Sequence, residues 1–296
     1  MSGPTRQHTT VARLTQRLAE LPALSVVLLD LLRLDRTAAD HFDRVVTLIG
    51  RDPALATRVV RAANSAALGS RPPVAQLVPA IQRLGSLTAA DLAIAESMAR
   101  VFVPRYPWEQ ALWLHAIGVA VLARALARSP LMPPADPELC YLTGLLHDIG
   151  RFVLYLEAPE ELHAVDETEW ETPDELIAAE RRLCGFTHAE LGYRAAVRWR
   201  LPPPLPVLLH HHHARPPLPP EVPPAVAPVL EVINRADRMS VASLKHPEWP
   251  RLSPAAVSAI AALVPPVPRC DAAARDALLA AAFRDIATTA TLLGLA

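Results

Sequence analysis

Proline punctuation constrains this chain more than any other feature. Its 31 prolines fall in clusters: Pro104 with Pro107, Pro130 to Pro137, Pro202 to Pro206, Pro216 to Pro228, and the pair Pro265–Pro266. Proline fixes φ and lacks an amide hydrogen, so each cluster ends one helix or opens the next. The stretches between them repeat apolar residues every three or four positions and show almost no β-branched alternation. Ala and Leu dominate while aromatics are 5% of the 296 residues, a balance that favours helices over sheets. The expected fold is all-α.

Hydrophobic residues at 51% and charged residues at 20% describe a globular chain rather than a disordered one. A net charge of −1 offers no general attraction for nucleic acid or an anionic membrane, so both are unlikely partners. Three cysteines, Cys140, Cys184 and Cys270, form no CxxC pair, which argues against a disulfide framework and for a reducing compartment. The polar start from Met1 to His8 lacks an apolar signal core, and no uncharged apolar run has the length of a membrane helix. The expectation is a soluble, cytoplasmic protein.

The first hundred residues read as short helices without a catalytic cluster. Asp52-Pro53 predicts a helix start, because an aspartate accepts first-turn amides and proline suits the first helical position. Phe42, Val45, Val46 and Ile49 make one apolar face before it, and Leu55, Val59, Val60 and Ala63 make one after it. Pro72-Pro73 breaks the chain, Gly85 stops a short helix through Ile81 and Leu84, and Thr88 is read as the cap of a helix to about Val101. Asp52 and Asn64 read as capping and turn residues rather than ligands.

From about Trp108 the character changes. His115 shares a helical face with Ala111, Gly118 and Leu122, so it points inward or into a cleft; an inward histidine by itself is most often a hydrogen-bonded core residue. One helix is predicted from Glu138 to about Leu156, with His147-Asp148-Ile149-Gly150-Arg151 in its middle. Neighbouring side chains on a helix diverge by about 100°, so His147 and Asp148 flank one ion only over the helix edge. Asp237 falls on the apolar stripe Val226, Val229, Leu230, Ile233 and Ala236, where an ionised carboxylate needs a cationic partner. Thr187 is placed to cap a helix bearing His188, and the run His210 to His213 closes the apolar segment Leu205 to Leu209; the plain alternative for that run is a solvated loop. Imidazole and carboxylate are ligands for zinc, iron or manganese that leave positions open for water and substrate. Seven such groups exceed the needs of one ion and suggest two.

The order of these motifs resembles the HD superfamily of metal-dependent phosphohydrolases, through His115, His147, Asp148 and Asp237. Leu21-Pro22-Ala23-Leu24, Ile49 to Leu55, Ala63-Asn64-Ser65-Ala66 and Ala80 to Gly85 resemble the successive signatures of HDOD proteins. So does the series His188, Gly192, Trp199, Leu201-Pro202 and a double histidine, which aligns with His212-His213. The resemblance covers roughly residues 15 to 240. It implies a bacterial signalling or regulatory protein that acts by binding a signalling partner or a nucleotide. The alternative is a metal-dependent phosphohydrolase or phosphodiesterase acting on a nucleotide or cyclic nucleotide. There, His115, His147, Asp148 and Asp237 would hold one divalent ion, His188, His212 and His213 a second, and Arg151 a phosphate oxygen. The chain also resembles HD-GYP phosphodiesterases, yet Ala214-Arg215-Pro216 stands in place of Gly-Tyr-Pro and Arg151 in place of a lysine. The organisation expected is a flexible N-terminus over 1–14, an N-terminal helical subdomain over 15–105, an HD-like subdomain over 106–240 and a helical extension over 241–296. That extension packs either on the bundle or on a second copy, leaving a homodimer open.

Overall fold

The computed structural model describes residues 21–103, 106–168, 170–263 and 271–295, together with Gln16, Leu18 and Glu20. The flexible start expected over 1–14, Pro104, Pro265–Pro266 and Cys270 lie outside the described residues; Cys140 and Cys184 are free and buried. Among the described residues the fold is all-α. The helices are α1 (Val26–Leu32), α2 (His41–Gly50), α3 (Pro53–Ala63), α4 (Leu77–Leu84), α5 (Ser86–Val101), α6 (Pro107–Ala127), α7 (Pro137–Leu146) and α8 (Ile149–Glu157). They continue as α9 (Pro159–Asp166), α10 (Pro173–Leu183), α11 (His188–Arg198), α12 (Leu205–His211), α13 (Ala227–Leu244), α14 (Pro254–Ala261) and α15 (Ala272–Leu292).

The N-terminal motif residues are structural clasps. Asp52 caps α3 by accepting from the Leu55 amide at 3.0 Å, and Arg100 of α5 grips its second oxygen at 2.6 Å. Asn64 ends α3 and holds the proline loop by exchanging two hydrogen bonds with the Val74 backbone. Arg83 donates to the Ala63 and Pro72 carbonyls, tying α4 to both ends of that loop. Gly85 stops α4 with φ +84°, a conformation that L side chains rarely adopt. The same glycine is the N-cap of α5, which begins at Ser86. Thr88 therefore lies inside the helix rather than capping it, because the positive-φ turn at Gly85 lets one helix follow directly on another.

Helix α6 is the hub of the second half, packed against α7, α13 and α15. Among the described residues it alone is long and apolar enough to cross a membrane by length and composition, and 61% of that window is buried inside the fold. Helices α8, α9 and α11 pack beside one another, and α12 bridges α11 to α7 and α13. Helix α15 folds back onto α6 and the short turn Ala66–Leu68, so the extension covers its own bundle. Among the described residues one large apolar core runs from Leu18 to Ile286, with a small second cluster of Ala62, Leu92 and Leu292. Its aromatic centre joins the two halves: Phe102 meets Phe152 and Trp199, with centroids 5.5 and 6.2 Å away. The Trp199 indole donates to the Pro22 carbonyl at 3.0 Å, a burial of apolar body with a satisfied polar tip.

The single helix expected from Glu138 to Leu156 is instead two. Helix α7 ends at Leu146 and α8 starts at Ile149, with Asp148 at φ −94°, ψ 18° between them. The apolar stripe runs across the break unchanged, which is why the periodicity concealed it.

Candidate metal centre

The break is what aims two adjacent side chains at one place. At the end of α7 the last carbonyls lose their helical partners, and the His147 imidazole donates from Nδ1 to the Gly144 carbonyl at 2.7 Å. The turn at Asp148 brings its carboxylate round beside that ring, with Oδ2 3.6 Å from His147 Nε2. Helix α6 presents His115 opposite. The Cβ of any larger residue at Gly144 would lie 2.8 Å from the Ala120 backbone, so glycine sets how closely α6 and α7 approach.

The structure brings all seven predicted ligand residues together. His188 opens α11 behind a Thr187–Glu190 capping box, His212 and His213 follow α12, and Asp237 comes from α13. His210 and His211 stay out: His210 stacks on Tyr193 with centroids 4.9 Å apart, and His211 lies 3.8 Å from Glu221. Ligand atoms of Asp148, His188, His212 and His213 all lie within 4.8 Å of one another, as do those of His115, His147 and Asp148. Asp148 belongs to both groups. Its Oδ1 is 3.3 Å from His188 Nε2 and 3.8 Å from His212 Nε2, while Oδ2 is 3.8 Å from His115 Nε2. Asp237 adjoins both, with Oδ1 3.2 Å from His115 Nε2 and Oδ2 3.8 Å from His213 Nδ1.

The outer nitrogens fix the inner ones. His212 Nδ1 donates to the Leu209 carbonyl at 2.8 Å and His188 Nδ1 to the Glu180 carboxylate at 2.7 Å. His115 Nδ1 meets Ser240 Oγ at 3.1 Å, and that hydroxyl itself donates to the His115 carbonyl. Carbonyls and carboxylates only accept, and the Ser240 hydroxyl gives its proton to the His115 carbonyl, so Nδ1 is a donor in each of these rings and Nε2 carries the lone pair whenever the ring is neutral. These Nε2 atoms face one another, His115 and His147 at 3.2 Å and His188 and His212 at 3.1 Å; His213 Nε2 is 3.0 Å from His188 Nε2, while its Nδ1 has no hydrogen-bond partner among the described residues. Two lone pairs at that distance repel unless a proton or a cation lies between them. The donor set, all imidazole and carboxylate, fits a divalent transition metal.

Protonation fits the same reading. Burial pushes His147 down and, with His213 and His188 nearby, pushes His212 well down; His213 falls to about 4 by burial and the neighbouring His188. Burial would raise the Asp148 carboxyl, but His147, His188 and His115 hold it well below the usual range. His188 moves upward, since Glu180 and Asp148 outweigh its burial. Neutral imidazole and ionised carboxylate are the forms that bind metal, so His188 must give up a proton to act as a ligand.

A cleft of about 1250 Å³ opens onto His115, Asp148, His213 and Asp237. His147, His188 and His212 do not line it, so the group of His188 has two ligands behind the cleft wall and the group of His115 has one. The cleft wall also carries Arg151, Trp170, Arg235, Arg238 and Lys245. Arg151 is not free: it is ion-paired with Asp166, and its guanidinium lies 5.8 Å from the Trp170 ring centre.

Sequence reading missed Glu180, Ser240, Asp166 and Trp170. Glu180 follows the rule that exposed Asp237, since it lies on the stripe of Leu176, Ala179 and Leu183 and is fully buried. Ser240 continues the stripe of α13 one turn beyond Ala236. Asp166 and Trp170 carry no sequence signal of their own.

The HDOD domain family matches residues 21–215 of the chain. An uncharacterized protein of Treponema pallidum (strain Nichols) is 28% identical over 221 residues, which is 74% of this chain and 42% of that protein. The chain thus spans less than half the length of this relative. The crystal structure of an HDOD domain protein of unknown function from Geobacter sulfurreducens is 25% identical, with TM-score 0.61 over 80% of this chain and 79% of its own. A protein of Shewanella amazonensis SB2B, named as a candidate phosphohydrolase, is 22% identical and shares the fold, with TM-score 0.68 over 96% and 98% of the two chains.

Proposed function

The chain belongs to the HDOD family, and from that premise we propose that its seven-residue cluster is a two-ion metal centre that binds and cleaves a phosphoester, a nucleotide or a ligand of like charge. The observation that carries this reading is the convergence of five imidazoles and two carboxylates, with Nε2 of His115 and His147 3.2 Å apart and Nε2 of His188 and His212 3.1 Å apart. The sequence by itself leaned toward a regulatory module; the convergence of every candidate ligand turns the balance toward chemistry.

In this reading His188, His212, His213 and Asp148 Oδ1 hold the deeper ion, and His115, His147, Asp237 and Asp148 Oδ2 the ion facing the cleft. Divalent ions there would polarise a phosphoryl oxygen and make water a better nucleophile at neutral pH. The protein's own part is placement. Asp166 orients the Arg151 guanidinium as a fixed cation in the cleft wall, and Arg238 and Lys245 attract an anion toward the ions. A second reading has its own observation. Asp166 occupies Arg151, which favours a site that senses its ligand and signals to a partner protein without turnover.

Elemental analysis after anaerobic purification, followed by a panel of linear and cyclic nucleotides with manganese or iron, separates these. The proposal expects about two ions per chain and turnover that His147→Ala abolishes. Metal without turnover supports the sensing reading, and a chain that takes up no metal contradicts both.

A further inference from the structure

Glu180 is fully buried in α10, and among the described residues its ion-pair partner is His188. One of its oxygens, Oε2, accepts twice from that residue: from the backbone N–H at 2.8 Å and from Nδ1 at 2.7 Å. Its other oxygen is buried without a hydrogen-bond partner. The backbone N–H it takes is one of the orphan donors at the start of α11. A carboxylate that grips the main chain and the ring of the same residue fixes the rotation of that ring as well as its tautomer.

The opposite side of His188 is held as firmly. A Cβ built at Gly150 would stand 1.8 Å from the His188 carbonyl oxygen, so the backbone of His188 is pressed against α8, two residues after Asp148. The other two histidines behind the cleft wall are anchored differently. His147 and His212 each donate to a neutral carbonyl three residues back on their own helix. Among the Nδ1 hydrogen bonds of the cluster, that of His188 alone goes to a carboxylate, and that carboxylate comes from a separate helix.

We propose that Glu180 is a positioning residue for the deeper ion: it sets the orientation of His188 and, through its charge, makes His188 Nε2 the strongest donor of that group. This rests on the reading of the cluster as a metal centre. Outer partners of ligating histidines act in this way, and their loss typically weakens metal binding 10- to 100-fold.

The test is a cobalt(II) titration of the full chain, read by visible absorption and by competition with a chelator. The wild type takes two cobalt ions, and Glu180→Gln weakens one of them about 10- to 100-fold while the other is unchanged. His188→Ala removes the same ion, and Glu96→Gln, a buried carboxylate paired with Arg58 elsewhere, changes neither. Should Glu180→Gln not accumulate folded, Glu180→Asp keeps the charge but retracts it by one methylene, and is read the same way. Two ions bound by the Gln variant with wild-type affinity and spectrum would make Glu180 an anchor for α11 only and overturn this inference alone. A wild type that takes no cobalt overturns the metal centre, and this inference with it.

Discussion

Among the described residues two buried clusters of charged side chains stand out, and they are built on opposite rules. In the first, Arg36 meets Asp91 and Glu138 at 2.6 and 2.9 Å, and Arg124 meets the same two carboxylates at 2.6 and 2.7 Å. Arg128 adds a contact to Glu138 at 2.8 Å, and the Arg124 guanidinium lies 3.6 Å from the Tyr141 ring centre. Each of these contacts joins opposite signs, and together they fasten the loop after α1 to α5, α6 and α7. In the second cluster the nearest contacts join nitrogen lone pairs to one another and to carboxylates. The first matches two buried guanidiniums with two carboxylates of the chain, though Arg36 Nε and Nη2 and Arg124 Nε stay without a hydrogen-bond partner; the second asks for cations from outside. Complementarity, rather than burial or charge, is what separates a structural cluster from a functional one.

The largest expected effect breaks the complete cluster. Asp91→Ala leaves Arg36 and Arg124 facing each other in the interior, at a cost of about 3–5 kcal/mol. Urea unfolding should show that loss, while metal uptake by the folded fraction stays unchanged.

The next breaks the incomplete cluster. Asp148 serves both ion positions, so Asp148→Asn should abolish the uptake of both. A ligand that binds only the folded state stabilises it by about 2.7 kcal/mol at a hundredfold excess over its Kd. Thermal unfolding with and without manganese should show that gain in the wild type and none in the variant.

The smallest effect sharpens the comparison through pH. Burial would raise the Glu138 carboxyl, but Arg124, Arg36 and Arg128 hold it below its ordinary value. A folded-state pKa below the unfolded one gives stability that is present above the unfolded value, about 4.3, and lost as pH falls through the folded value. Glu138→Gln should therefore narrow the gap to wild type progressively below about pH 4, as measured by urea midpoints across an acid series.

Local chemistry was legible in the residues. The caps at Asp52 and Thr187, the Asn64 turn and the Gly85 stop each depend on a few neighbouring positions, and the structure shows each in place. Asp237 was legible because a carboxylate on an apolar stripe is costly without a partner. Glu180 obeys the same rule, and a systematic search for charges on apolar faces would have found it. The break at His147-Asp148 was hidden because apolar spacing continues across it from Leu142 to Leu156. The first cluster was illegible for a different reason: Arg36 finds Asp91 55 residues away and Glu138 102 residues away, and no local pattern records such distances. Arg151 looked available for a phosphate because nothing in its neighbourhood announced Asp166.

Anomalous diffraction from crystals of the anaerobically purified, metal-supplied protein bears most directly on the cluster. Two peaks at the absorption edge, one among His188, His212 and Asp148 Oδ1 and one among His115, His147 and Asp148 Oδ2, are the expected result. A site with no anomalous peak, its imidazoles turned so that each Nε2 hydrogen-bonds to water or protein, would contradict it.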